Sequence, residues 1–324
     1  MRLTFTIQRF NPETDRHPHP EDYRLDIGRG MTVLEALIRI KNELDGSLSL
    51  RYSCRSAICG SCAMNINDTE KLACRTSIRK EFERHGKISI DPLPNLPIIK
   101  DLVVDMSPFW DKIRRVTPWL TPVTHPTKRY GSSGQLRLLP DTYQFHNVDA
   151  CIMCGACVAA CTSHEVSREF LGPAALAKAE RFVADPREPA SAKQARLTAL
   201  QGDHGIWDCT RCNMCVQVCP KDVQPMESII RLRRSALQHG LTSTEGARHI
   251  TGFLELVRRE GRLNEALMPL KVLGTNVRRL VDVIPLGLRM GLKGKVPWPF
   301  GHTIPGIEQI RAIFAAARRL ARRA

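Results

Sequence analysis

The stretch CTRCNMCVQVCP supplies Cys209, Cys212, Cys215 and Cys219, separated by two, two and three residues, with Pro220 directly after the last. This is an interval pattern by which thiolates ligate cubane iron-sulfur clusters. Three thiolates on one tight turn hold one face of a cluster, and the fourth, beyond the turn, more naturally reaches a different one. The run CIMCGACVAAC repeats the intervals about 58 residues earlier with Cys151, Cys154, Cys157 and Cys161. Together the runs predict crossed ligand sets: Cys151, Cys154, Cys157 and Cys219 for one cluster, and Cys209, Cys212, Cys215 and Cys161 for the other. Pro220 fixes φ after the last ligand and is equally suited to starting a helix.

A third constellation lies nearer the N-terminus. CRSAICGSCAM carries Cys54, Cys59 and Cys62, and Cys74 follows after eleven residues. Three thiolates on a glycine-bearing loop and one beyond a short hairpin resemble the plant-type 2Fe-2S loop, in which four cysteines serve two irons. Gly60 suits a loop whose N–H groups must point inward at sulfide. Ser53, Ser56 and Ser61 are candidate hydrogen-bond donors to it. A structural zinc site favours two separated cysteine pairs, which this spacing does not give.

The twelve cysteines fall into these three groups of four with none left over. A disulfide framework also needs an even count. However, MRLTFTIQRF has no apolar core region or small-residue cleavage site, which argues against export to an oxidising compartment. The cysteines fill every cluster position, so His146, His164, His204 and His239 are read as non-ligands; His164 and His204 are expected at the surface, with proton carriage at an acceptor site near the clusters as the alternative. There is no glycine-rich nucleotide loop, no Glu-x-x-His pair and no nucleophile elbow. Electron transfer is therefore expected, with no substrate site in this chain.

The elements that must position the cysteines are partly visible. RLTFTIQR alternates with period two and pairs with YRLDI across a Pro- and His-rich turn. Thr32 opens a helix over TVLEALIRIKNELDG, with Glu35 completing a capping box and Gly46 at its end. KISIDPLP returns the chain to the sheet, and prolines 92, 94 and 97 mark a boundary. Residues 107–140 are expected as an irregular connection lying on the protein, and 185–203 as a polar surface loop. GPAALAKAERFVAD and SIIRLRRSALQ show helical recurrence after the two cysteine runs. From Thr244 onward TEGARHITGFLELVRREG, PLKVLGTNVRRLVDVIPLGLRMGLKG and a last basic helix are amphipathic, with bends expected at Pro297, Pro299 and Pro305.

The 324 residues carry a formal charge of +15, a hydrophobic fraction of 43% and a charged fraction of 25%. That is an ordinary balance for a globular chain of two or three domains. The basic excess is strong in the C-terminal third, where it interleaves with leucine and isoleucine. Such a pattern suits an anionic membrane surface or an acidic partner at least as well as a phosphate backbone. Nucleic acid is not expected as a partner, because it gives no reason for a plant-type loop to precede two cubane motifs. No stretch is long and apolar enough to span a bilayer.

CRSAICGSCAMNIN with LACRT, then CIMCGACVAAC, GPAALAKAERFVADPRE and CTRCNMCVQVCPKDV, resemble the iron-sulfur subunit of succinate dehydrogenase and fumarate reductase over about residues 1–238. The resemblance implies an α+β fold. A plant-ferredoxin-like β-grasp domain (1–106) and a connecting segment (107–140) are expected to lead to an all-helical bacterial-ferredoxin-like domain (141–240); the basic amphipathic extension (241–324), which the resemblance does not cover, is expected from its own pattern to serve subunit or membrane-surface docking. The resemblance implies electron transfer between the FAD of a flavoprotein subunit and quinone, through a membrane-associated anchor subunit at the cytoplasmic face of the cell membrane. Carried over by position, Cys54, Cys59, Cys62 and Cys74 hold the 2Fe-2S cluster, and Cys151, Cys154, Cys157 and Cys219 the 4Fe-4S cluster. Cys161, Cys209 and Cys215 hold a third.

Two departures matter. Better-known members have a non-cysteine at the position of Cys212, consistent with a 3Fe-4S cluster; a cysteine there supplies a fourth ligand and points to 4Fe-4S. They also have proline and then tryptophans after the Cys161 position and a histidine at the Thr210 position, which form quinone contacts. This chain has Thr162, Ser163 and His164. With the basic tail, this resembles complexes whose anchor is itself cysteine-rich, like heterodisulfide reductase. The alternative function is a relay in a thiol- or disulfide-coupled fumarate reductase.

Overall fold

The computed structural model describes residues 1–121, 147–274, 277–295 and 303–321. It comprises two compact units, residues 1–235 and 236–324.

In the first unit, β1 (Arg2–Arg9) and β2 (His19–Asp26) form the expected antiparallel hairpin, with Leu3 opposite Leu25 and Phe5 opposite Tyr23. β2 begins earlier than expected and takes in Pro20, which an edge strand tolerates because one side of its backbone has no ladder to serve. β3 (Ala63–Ile66), β4 (Glu70–Leu72) and β5 (Ile88–Asp91) complete a mixed sheet in the order β2-β1-β5-β3-β4, with β1 and β5 parallel. Alternation along β1 buries Leu3, Phe5 and Ile7. The capping box forms as expected: Thr32 accepts from the Glu35 amide, and the Glu35 carboxylate accepts from the Thr32 amide. It opens α1 (Val33–Arg39), which continues as a wider turn to Leu44.

The start of α1 also positions a cysteine. Its first free N–H groups, on Val33 and Leu34, donate to the carbonyls of Thr76 and Ala73, on either side of Cys74. Ala73 in turn donates to the Cys62 carbonyl at 3.0 Å. α2 (Ile78–His85) ends on Gly86, whose φ of +69° is the left-handed conformation suited to glycine. A two-stranded ribbon, β6 (Ile98–Lys100) with β7 (Val103–Val104), then leads into α3 (Ser107–Arg115).

α3 corrects the expected irregular connection. Pro108 stands in its first turn, where the missing N–H costs nothing, and Phe109, Lys112 and Ile113 are buried. Residues 122–140 of that expected connection lie outside the described residues. The helical half then holds α4 (Ala156–Ala159), α5 (Thr162–Val166), α6 (Gly172–Val183), α7 (Ala190–Leu200), α8 (Met214–Gln217) and α9 (Pro225–Gln238). α7 corrects the expected surface loop over 185–203. Its buried positions are Leu197, Leu200 and Arg196, the last bound to Glu188 and to the carbonyls of Val116, Thr117 and Trp119.

The second unit contains α10 (Glu245–Glu260), α11 (Met268–Leu273), α12 (Val277–Leu292) and α13 (Ile307–Ala321). Thr244 caps α10 through its side chain. Gly252 lets α11 lie against α10, because a Cβ there would meet Lys271 Cβ at 2.8 Å. Pro297 and Pro299 lie outside the described residues. Among the described residues no helix is long and apolar enough to cross a membrane.

Candidate iron-sulfur sites

Backbone geometry builds the first site. Arg55, Ala57 and Gly60 take positive φ values of 57°, 56° and 76°, which turn successive N–H groups toward one centre. Cys54 Sγ receives the amides of Ser56, Ile58 and Cys59 at 3.4, 3.3 and 3.3 Å, and Cys74 Sγ that of Ala57 at 3.3 Å. The Ser61 hydroxyl lowers the Cys59 thiol to about 6, while burial, followed by weaker effects of Cys74 and Cys59, pushes Cys62 up to about 12. Of the three serines named as donors, Ser61 acts through its hydroxyl; Ser56 acts through its amide, its hydroxyl turning instead to the Cys54 carbonyl.

Gly60 has a further role that its loop setting alone does not suggest. A Cβ on it would stand 2.8 Å from Cys154 Cβ, 3.1 Å from Cys154 Cα and 3.1 Å from the Ile152 carbonyl. The missing side chain is what lets the first cysteine loop touch the second. Arg75, next to Cys74, reaches across in the same way to the Pro220 carbonyl at 3.2 Å.

The helical cysteines gather across the two runs. Cys151, Cys154, Cys157 and Cys219 line one cavity with apolar walls from Phe109, Ala174, Ala177 and Val223. Cys161, Cys209, Cys212 and Cys215 line another, beside Phe170, Met226 and Ile229. Burial, then neighbouring cysteines among the other causes, pushes Cys154 up to about 11, Cys157 well above the usual thiol range and Cys215 up to about 12. Cys212 is lowered instead. Burial opposes that shift, but the Met214 amide and the hydroxyls of Thr162 and Thr210 outweigh it. The Thr162 hydroxyl lies 3.5 Å from Cys212 Sγ.

Among the described residues, no His, Cys, Asp and Glu side chains form a group tight enough for a single metal ion. The donor sets do fit clusters. Four thiols crowded into an apolar wall resist losing their protons together, and positively charged irons replacing those protons relieve the repulsion. The amides aimed at Cys54 and Cys74 supply the N–H groups that cluster-bound sulfur accepts.

Several side chains that hold these loops lie outside the cysteine motifs. Asn95 Nδ2 donates to the carbonyls of Ala159 at 2.7 Å and Cys161 at 3.3 Å, and its own carbonyl accepts from Arg168. Asn147 Nδ2 donates to the Lys221 carbonyl at 2.7 Å, tying the start of one run to the end of the other. Arg233 is buried, stacks on Trp207 and donates to the carbonyls of Ile206 and Cys209, each at 2.7 Å. It belongs to the core and not to the basic surface. Arg231 is likewise engaged, with Glu180 at 2.9 Å.

His164 corrects an expectation, since it is 3% exposed. Its ring lies 3.0 Å from Lys112 Nζ, which also donates to the Arg168 carbonyl. Burial, followed by the Lys112 charge, holds His164 down at about 4, so the ring is neutral at pH 7. His204 is partly exposed and meets Glu169 at 2.6 Å.

Comparison with known proteins assigns the family. Residues 4–111 match the 2Fe-2S iron-sulfur cluster binding domain, and residues 147–223 the 4Fe-4S dicluster domain. The fumarate reductase iron-sulfur subunit of Haemophilus influenzae is 39% identical over 235 residues, covering 70% of this chain and 90% of that protein. The succinate dehydrogenase (ubiquinone) iron-sulfur subunit of Candida glabrata mitochondria is 36% identical over 234 residues, with 71% and 90% covered. This chain belongs to the iron-sulfur subunits of fumarate reductase and succinate dehydrogenase. A chain of the Mycobacterium smegmatis Sdh1 complex in the apo form shares the fold, with a TM-score of 0.64 at 22% identity over 74% of this chain and 96% of that one. The expected fold class holds at the level of a sheet-bearing N-terminal region followed by a helical one. As a member of the family the chain is an electron-transfer component of an oxidoreductase complex, with a 2Fe-2S region and a two-cluster 4Fe-4S region.

Proposed function

We propose that this subunit connects a flavoprotein carrying FAD to a membrane-associated anchor that exchanges electrons with quinone. In this reading a β-grasp domain binds 2Fe-2S through Cys54, Cys59, Cys62 and Cys74, and Cys151, Cys154, Cys157 and Cys219 bind 4Fe-4S. Cys161, Cys209, Cys212 and Cys215 bind the third cluster, also as 4Fe-4S. When bound, such clusters supply reversible one-electron redox chemistry. The chain's own residues exclude water with apolar walls, aim amides at sulfur and bring the Cys59–Cys62 loop against Cys154.

The observation that carries the assignment of the third cluster is the cavity shared by Cys161, Cys209, Cys212 and Cys215, with Cys212 held low by an amide and two hydroxyls. Stepwise reduction of the complex followed by EPR tests it. Wild type is expected to lack a 3Fe-4S signal when oxidised, and Cys212→Ser to gain one. A strong oxidised 3Fe-4S signal in wild type, unmoved by the substitution, would exclude Cys212 as a ligand.

A second reading draws on Thr162, Ser163 and Thr210. They occupy positions where better-known members carry quinone contacts, and here the Thr210 amide meets the Ser163 hydroxyl at 3.4 Å while Thr162 turns to Cys212. This favours a cysteine-rich anchor and a thiol or disulfide acceptor. Activity of the assembled complex with dithiols in place of quinols distinguishes the two readings.

A further inference from the structure

α12 is apolar around most of its circumference and open on most of it. Val281, Ile284, Leu288 and Leu292 recur at i, i+3, i+7 and i+11 and are 54%, 54%, 64% and 89% exposed. Leu286 and Val283 are also exposed, outside that stripe. Arg278, Asp282, Arg289 and Lys293 share one face, spaced by 4, 7 and 4 residues. Arg279 is taken up by Glu245 of α10. No ion pair of Arg278, Arg289, Lys293 or Lys295 occurs among the described residues.

We propose that α12 lies along the surface of an anionic lipid bilayer, so that this chain touches lipid with its own side chains. A groove on a protein covers an apolar stripe of about 100°. Here exposed apolar residues flank the charged face on both sides, so a groove would leave part of them in water. Acyl chains enclose them all, while the basic face meets headgroups. The 16 residues of α12 span about 24 Å, enough to lie in the interface and too little to cross the bilayer. Five basic residues against one acidic between 278 and 295 fix the sign of the headgroup. The inference rests on this helix alone and is independent of the cluster assignments.

The test is flotation of the purified full chain, clusters loaded, with phosphatidylcholine vesicles made with and without phosphatidylglycerol. Binding is expected to vesicles containing phosphatidylglycerol, with release at high salt. Arg289→Gln should weaken partition about fivefold, and Leu288→Gln about tenfold or more. Both side chains are exposed, so cluster absorbance and helix content serve as the control for folding. Absence of binding to anionic vesicles at low salt, or binding unmoved by both substitutions, overturns the proposal. So does a solution dimer lost in Leu288→Gln, which would give the face to a second copy. Protection of residues 281–292 from hydrogen exchange by the other subunits without vesicles would give it to a protein and also overturn it.

Discussion

Cys54 Sγ accepts three peptide N–H groups and Cys74 Sγ one, in a half-exposed setting, whereas Cys157 and Cys215 stand in apolar walls where burial is the largest influence on the sulfur. Amides favour added negative charge and burial opposes it; Cys62 and Cys212 run against their own regions, the first pushed up by burial and the second held low by an amide and two hydroxyls. The sheet-borne loop holds its sulfurs through its own backbone. The helical sites depend on distant side chains: Asn95, Asn147 and Arg233 hold carbonyls of segments far away in sequence.

The sharpest way to break this comparison is at the point where the regions meet. Gly60→Val should abolish correct assembly of the first two sites, because it combines a left-handed φ with a Cβ 2.8 Å from Cys154 Cβ. Iron content and the 2Fe-2S EPR signal report it, and a normal signal with unchanged thermal stability would contradict the contact. Next in size, Arg233→Met should cost about 2–4 kcal/mol by stranding the Ile206 and Cys209 carbonyls. Iron should leave the third site before the first, measured by signal loss during denaturant titration.

Asp185→Asn gives a smaller, pH-dependent effect. Asp185 is fully buried; burial opposes ionisation, but Arg187 and Arg181 outweigh it and hold the carboxyl below its ordinary value of 3.8. A depressed carboxylate contributes stability above the unfolded value and loses it as pH falls toward the folded one. The gap between wild type and Asp185→Asn should therefore be full at pH 7 and shrink below about pH 4, as followed by helix content in denaturant. Asn95→Ala should cost about 1 kcal/mol. Smallest is Ser61→Ala, which should lower the first-site potential by on the order of tens of millivolts and leave the third site unmoved. A shift at both sites would show that the regions are not tuned separately.

The cysteine spacing alone announced which sulfurs to look for, because ligation needs fixed short intervals. The capping box at Thr32 and Glu35 and the helices around Leu176, Ile229 and Leu256 were equally legible from local pattern. What escaped was charge in core positions. Lys112 sits with Phe109, Ile113 and Val116, and Arg233 with Ile229, Leu232 and Ala236, each group at i, i+3, i+4 and i+7. Proline, threonine and glycine across 107–140 hide the helix α3, and a period count that treats lysine and arginine as solvent-facing hides Lys112 and Arg233 as core positions. A long basic side chain at an apolar-stripe position is the signal that was there to use: its stem packs while its head meets carbonyls the fold must satisfy. The Gly60–Cys154 approach had no such signal, because it joins residues that only the tertiary fold brings together.

The placing of Cys219 beside the first run and of Cys161 beside the second also sets an order of synthesis. The group of Cys161, Cys209, Cys212 and Cys215 is whole only once residue 215 has left the ribosome, and the group of Cys151, Cys154, Cys157 and Cys219 only at residue 219, although the first run is made much earlier. An emerging chain thus carries the four thiols of the first run, Cys161 included, without their partners for the time it takes to build α6 and α7. Either iron is delivered only after the two runs have met, or a carrier must shield the first run from premature loading.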